Sequence, residues 1–372
     1  MGKLFESSEI NGLMLANRFV RSATWEGMAT AGGAVTPKLI DTMAALARGG
    51  VGLIITGHTY VRAEGQATPW QLGIHRDDLI PGLREMTAAV HGAGGKIVMQ
   101  LAHGGNFAAE RLIDQPPWVV SNFEGLAKSA RREVSAQDIR EIVDAFANGA
   151  QRALAAGFDG VQLHSAHGYL LSQFLSPIFN RRQDQYGGDI HNRIRIHLEI
   201  GRAIRNIVGP GYPLLIKMNC RDFAEKGLSL EDSLQAAKLM SQAGFDAIEL
   251  SGGLLSGGKL SPMRPCINSE DKEAYFKEEA RAFKEAIDIP LILVGGIRSI
   301  EVAGIIIGSS VADYLSMSRP LIREPELIKR WREGDRRRAE CVSDNLCYKA
   351  GYTGEGIYCP AKESAVRRRK TR

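Results

Sequence analysis

The chain has 372 residues, 44% hydrophobic and 24% charged, a balance typical of a soluble globular protein with room for one large barrel or two ordinary domains. The net charge of +5 is unevenly placed: residues 329–338 carry six basic and two acidic side chains, the last six residues carry five basic ones, and the remainder is mildly acidic. Apolar runs are strand-sized, too short to span a bilayer, and a basic terminus is more simply a solvated end, so neither membrane nor nucleic acid is expected as a partner.

The start, MGKLFESSEING, lacks the apolar core of a signal peptide, which leads to an expected cytoplasmic location. Residues 2–16 read as a short hairpin. Short apolar runs then recur at 17–23, 52–56, 96–101, 160–163, 214–218, 247–250, 291–294 and 314–317. Several, such as LIIT, LLIKM and LILV, are apolar at successive positions, as in parallel strands buried on both faces. Helix-length amphipathic segments separate them. One spans 135–156 and opens with Ser-x-x-Asp; another spans 230–243 and opens at Ser229.

Eight strand–helix units predict a (β/α)8 TIM barrel over residues 1–333, with the hairpin capping its bottom. A doubly wound open sheet would need a Gly-x-Gly-x-x-Gly turn after an early strand, and none follows the first or second. Residues 102–134 form a long excursion after the third strand, of the kind that shapes a substrate pocket. Residues 334–372 form a tail outside the repeating pattern. Five cysteines in a long chain argue against a disulfide framework.

Residues 161–193 read VQLHSAHGYLLSQFLSPIFNRRQDQYGGDIHNR. His164 and His167 end an apolar strand, Tyr169 follows, and the loop closes with Arg182, Asp184, Tyr186, Gly187, Gly188, Asn192 and Arg193. The histidine pair has no Glu-rich partner set, so no metal site is expected there. The segment closely resembles the signature of the Old Yellow Enzyme family, FMN-dependent NAD(P)H:acceptor oxidoreductases built on a barrel.

That resemblance implies roles residue by residue. His164 and His167 would bind the carbonyl of an activated alkene, and Tyr169 would protonate it. Ser22, Ala23 and Thr24 resemble the residues under the flavin, with Trp25 next, where the family often has Cys or Thr. Gly57, followed by His58, resembles small residues near the flavin edge, and Gln100 resembles the glutamine that bonds the pyrimidine ring. Lys217 stands where most members have Arg, a cation that would ease negative charge on the reduced flavin. Gly295 and Gly296 with Ser318 and Arg319 resemble the phosphate site, although members usually have Gly at the Ser318 position. Ser251, Gly252 and Gly253 are further cofactor candidates.

The tail carries a second resemblance. Iron–sulfur members of the family have C-x-x-C-N-x(1–2)-C-x(11)-C there. Cys341, Cys347 and Cys359 fit that spacing, Asn345 is kept, and Asp344 replaces the second cysteine. A [4Fe–4S] cluster normally takes four thiolates, so a stably bound cluster is not expected.

The resulting expectation is an ene-reductase-like enzyme using FMN and NADH or NADPH on a small-molecule activated alkene, with a homo-oligomer allowed. Two alternatives stay open: an oxidative FMN barrel of the amine-demethylating kind, and a non-catalytic flavin-binding or scaffold subunit of a larger redox complex.

Overall fold

The computed structural model describes residues 2–364, so the basic run at 367–372 lies outside the described residues. Eight parallel strands close on themselves: β1 (Phe19–Arg21), β2 (Leu53–Ile55), β3 (Ile97–Ala102), β4 (Val161–Ser165), β5 (Leu214–Asn219), β6 (Ala247–Ser251), β7 (Leu291–Val294) and β8 (Tyr314–Met317). Each pairs with the next, and β8 returns to β1 with Leu315 opposite Phe19. The (β/α)8 barrel expected from the sequence is the fold, and all eight strands fall on the apolar runs.

Strand side chains alternate, so every second residue enters the barrel. At the bottom Val20, Leu53, Val98, Leu215, Ala247, Ile292 and Tyr314 form one buried apolar cluster with Ile10, Leu13 and Leu15. The last three belong to the hairpin Ser8–Ile10 and Leu13–Leu15, which plugs this end, and the Tyr314 hydroxyl donates to Glu9 O at 3.1 Å. Truncating one of these leucines to Ala would cost on the order of 2–5 kcal/mol. Two positions further along the same strands stand Ser22, Gln100, Lys217, Glu249 and Ser316, all buried. The interior therefore turns from apolar to polar over one step of the pleat, and the polar layer floors the mouth.

The helices behave as their sequence signals require. Ala136–Ala155 begins at Ser135, whose hydroxyl accepts from the Asp138 amide while the Asp138 carboxylate accepts from the Ser135 amide. Its buried Ile139, Ile142, Phe146, Ala150 and Ala153 recur at helical spacing and face the barrel. Leu230–Gln242 is capped by Ser229 in the same manner at its hydroxyl. No helix of the described residues is long and apolar enough to cross a membrane.

The excursion at 102–134 differs from its expected role. It folds on itself through the short pair Trp118–Val119 and Arg132–Glu133, with the Arg132 guanidinium 4.2 Å from the Trp118 ring. Only Phe107 approaches the mouth, 6.0 Å from the Tyr169 ring, and no residue of the excursion lines the main cavity. The cavity wall comes instead from Leu255, Pro262 and Met263 and from the tail.

Candidate active site

A cavity of about 310 Å³ opens at the C-terminal ends of the strands, the end where barrel loops gather functional groups. It brings together Ser22, Ala23, Thr24, Trp25, His58, Gln100, His164, His167, Tyr169, Lys217, Ser251 and Ser318 from the sequence reading, and adds Tyr348 and Tyr352 from the tail.

The histidine–tyrosine end is built by one turn. β4 carries His164 beside Lys217 of β5. The chain then reverses through His167 at φ +66° and Gly168 at φ +91°, a left-handed pair that releases Tyr169 at the start of the buried helix Leu170–Leu175. His167 is strained as a non-glycine residue in that region, and its contacts hold it there. Its amide donates to Asn219 Oδ1 at 3.1 Å, and its Nε2 lies 2.7 Å from Ser251 Oγ. Ring centroids of His164 and Tyr169 are 4.7 Å apart, and those of His58 and Tyr169 5.3 Å. Two ring atoms, His164 Nδ1 and His58 Nε2, are buried with no hydrogen-bond partner among the described residues. Burial pushes His58 down to about 4. Burial, then the charges of His167, His58 and Lys217, holds His164 well below the ordinary histidine value. Burial, then Lys217 and His58, does the same to His167. Burial, then Tyr352 and Tyr348, pushes the Tyr169 phenol upward. All four groups are therefore neutral near pH 7.

The floor pairs the Lys217 cation with a buried carboxylate. Lys217 Nζ sits 3.1 Å from Glu249 Oε1 and donates to Ser22 Oγ at 2.8 Å. Glu249 also accepts from Ser22 Oγ at 2.6 Å, Ser316 Oγ at 2.6 Å and Gln162 Nε2 at 2.9 Å, while Gln100 Nε2 donates to Gln162 Oε1 at 2.7 Å. Burial raises the Glu249 carboxyl, but Lys217 and the three donors outweigh it and hold it below the ordinary carboxylate range. The Lys217 charge is thus compensated from below. Sequence reasoning missed Glu249 because it lies inside the strand run AIELS; strict alternation from Ser251 was the available signal.

Gly295 and Gly296 follow β7 at φ +150° and +76°, and a Cβ on Gly296 would lie 2.8 Å from the Tyr275 ring. Gly296, Ser318 and Arg319 line a recess of about 50 Å³ that shares Ser318, Met263 and Tyr348 with the main cavity. Thr24 Oγ1 donates to Ser318 Oγ at 2.7 Å, which ties the floor to this recess. Gly295 lines neither space; its carbonyl accepts from the Tyr275 amide at 3.1 Å. Gly57 is also outside the lining. A Cβ there would come within 2.7 Å of Thr24 O and press on the buried Glu26 carboxylate, so the glycine serves packing and the next residue, His58, faces the cavity. His103 is buried outside the cavity and accepts from the Gly105 amide at 3.1 Å.

The closing loop of the signature is structural. Arg193 donates to Gly188 O at 3.0 Å and to Asp232 at 2.7 Å, and Gly187 packs against the Arg182 backbone. The tail lies against the mouth. The Trp25 and Tyr352 rings meet at a 50° tilt with centroids 4.7 Å apart, Trp25 donates to Pro69 O at 3.1 Å, and the Ile357 amide donates to Glu26 O at 2.8 Å. Burial pushes the Cys347 thiol up to about 11, whereas Cys359 Sγ accepts from Arg323 at 3.4 Å. Asp344 Oδ1 accepts from the Leu346 amide at 3.1 Å. Among the described residues no group of three or more His, Cys, Asp or Glu side chains is placed to share a metal ion.

The donor set suits a flavin mononucleotide. A polar floor with a cation, unpartnered imidazole atoms above it, and a connected recess with glycine and arginine match a planar heteroaromatic head and a phosphate. Residues 3–337 match the model of the NADH:flavin oxidoreductase / NADH oxidase family, and the chain belongs to that FMN family. It is 34% identical to an NADH oxidase from Thermoanaerobacter brockii over 388 residues, covering 98% of this chain and 58% of the relative. It is 35% identical over 327 residues to an NADPH dehydrogenase from Halalkalibacterium halodurans, covering 87% and 92% of the two chains. Among solved structures it resembles histamine dehydrogenase from Rhizobium sp. 4-9, with a TM-score of 0.84 and 26% identity over 96% of this chain and 52% of that one. The chain spans little more than half the length of the first and third of these relatives.

Proposed function

We propose that the protein is an FMN-dependent NAD(P)H oxidoreductase that reduces an activated alkene of the enone or enoate type. The observation that carries this reading is the packing of neutral His164 against both a protonated Tyr169 and neutral His167 in the cavity, with ring centroids at 4.7 and 5.5 Å. When bound, FMN supplies the redox chemistry, taking hydride equivalents from NAD(P)H and passing them to the acceptor. Gly296, Ser318 and Arg319 would hold its phosphate, and Ser22, Gln100 and Lys217 its ring.

The rest belongs to the side chains. A Ser251 hydroxyl that donates to Nε2 of His167, 2.7 Å away, would leave the ring proton on Nδ1 as a donor for the acceptor's carbonyl. His164, with one ring nitrogen unpartnered, offers a second site for the same carbonyl oxygen. Two such donors withdraw charge from the conjugated double bond and leave its β-carbon open to hydride. Tyr169 keeps its proton until the α-carbon becomes basic enough to take it, and its raised phenol affinity restrains wasteful proton loss. Buried imidazoles and phenol also keep water from the reacting carbon. NAD(P)H as reductant and five unpaired cysteines fit a cytoplasmic setting.

The test is steady-state and anaerobic half-reaction kinetics with NADH, NADPH and a cyclic enone. Flavin reduction by either nicotinamide, followed by enone-dependent reoxidation, is expected. Reduction by an amine, with no response to NAD(P)H or enone, would move the protein to the oxidative branch suggested by its histamine dehydrogenase neighbour.

A further inference from the structure

The recess beside Gly296 is lined by two arginines, Arg298 and Arg319, which are 2% and 6% exposed. Their guanidinium groups are held by neutral acceptors. Arg319 Nη1 donates to Asn345 Oδ1 at 2.5 Å and its Nη2 to Arg264 O at 3.0 Å. Arg298 Nη2 donates to Ser343 Oγ at 3.1 Å and its Nη1 to Ile297 O at 2.7 Å, while Nε has no partner among the described residues. The nearby buried Glu273 carboxylate accepts from the Arg298 amide at 2.6 Å and pairs with Arg338, and among the described residues neither the Arg298 nor the Arg319 guanidinium bonds a carboxylate directly, so the two buried cations call for an anion.

The two side chains that hold them, Ser343 and Asn345, come from the tail. Both take left-handed backbone, at φ +60° and +62°. Such a conformation in a non-glycine residue costs on the order of 1 kcal/mol or more and persists where the surroundings impose it. Here they do: Asn345 Nδ2 donates to Met263 O at 3.0 Å, the Cys266 amide to Ser343 O at 3.3 Å, and the Ala339 amide to Arg298 O at 2.8 Å. The intervening Asp344 is turned away and caps Leu346.

We infer that Asn345 and Ser343 are positioning residues of the cofactor site. They orient Arg319 and Arg298 toward a bound phosphate monoester, the FMN phosphate on the reading given above. The tail on this account keeps its register because it forms the outer wall of the phosphate recess, independently of any thiolate cluster.

The experiment compares FMN with riboflavin, which lacks the phosphate, by fluorescence quenching on the flavin-stripped full chain. The native protein is expected to prefer FMN. Asn345→Ala should weaken FMN by about tenfold, the loss of one charge-assisted contact, and leave riboflavin affinity within about twofold. Asn345→Asp would place a carboxylate on Arg319 and beside the phosphate, and should weaken FMN at least as much as Asn345→Ala while leaving riboflavin affinity within about twofold. Ser343→Ala, a milder change, should lower FMN affinity about threefold, and Asn345→Ala should add little to Arg319→Ala. Equal losses for both flavins, or none for FMN, would overturn the inference and leave the tail a packing element. A native protein that binds FMN and riboflavin equally would overturn the phosphate reading itself, and the inference with it.

Discussion

The two ends of the cavity are assembled in opposite ways. The histidine–tyrosine end comes mostly from one short stretch, His164 to Tyr169, whose turn is encoded locally by Gly168 and the left-handed His167. The end proposed to take the phosphate gathers Met263 and Arg264, Gly296 and Arg298, Ser318 and Arg319, and finally Ser343, Asn345 and Tyr348 from the tail. On the proposed function the first end places the group that gives up a proton, and small errors there would change chemistry. The second places groups that bind, and errors there change occupancy.

Substitutions at each end separate the two. Tyr169→Phe is expected to slow acceptor-dependent reoxidation by about 10²–10⁴-fold, while NAD(P)H reduction of the flavin stays near the native rate. Stopped-flow traces of both half-reactions give the answer, and equal slowing would make Tyr169 a shaping residue. Between the two ends lies the floor. Glu249→Ala leaves the Lys217 ammonium buried without its carboxylate, at a cost of about 3–5 kcal/mol read from urea denaturation. If stability were unchanged, the pair would be more solvated than its burial indicates. At the phosphate end, Arg319→Ala should weaken FMN by on the order of 1.5–3 kcal/mol, with folding little altered. Intact FMN retention would shift the phosphate away from that recess. Tyr352→Ala removes the tilted ring contact with Trp25 in the cavity wall, and flat aromatic ligands should bind weaker by about 0.5–1.5 kcal/mol, measured by their absorbance change on titration.

The smallest expected effect is that of pH. His58 is depressed to about 4, His164 and His167 also lie below the ordinary histidine value, and Tyr169 lies above its own. The acceptor half-reaction should therefore be flat from about pH 6.5 to 8. Stability has the matching sign. A histidine depressed in the fold contributes fully above its unfolded value near 6.5, and that contribution is lost as pH falls toward 4, because the unfolded chain binds the proton first. A kinetic step near pH 7 would show that one imidazole is charged in the working site.

The barrel was legible because it repeats. Eight strand-sized apolar runs, Ser135 and Ser229 caps and glycine stops each act over a few residues, and closing a right-handed parallel sheet needs no further instruction. His164, His167 and Tyr169 were legible through the family resemblance of residues 161–193, and their spacing along one turn sets their spacing in space. Glu249 was hidden because a strand run shows which residues alternate but not which charge meets Lys217 across the barrel. Gly57 and His58 differ by one position, and only the packing of Glu26 against Gly57 decides which of them faces the cavity. The tail was least legible. Its cysteine spacing suggested a metal history, while Tyr348 and Tyr352 reach the cavity, and Ser343 and Asn345 reach the arginines of the recess, only because the chain folds back over the mouth. Local periodicity thus determined the elements and one end of the site. Tertiary structure decided the other end, because contacts between residues far apart in the chain leave no spacing to read.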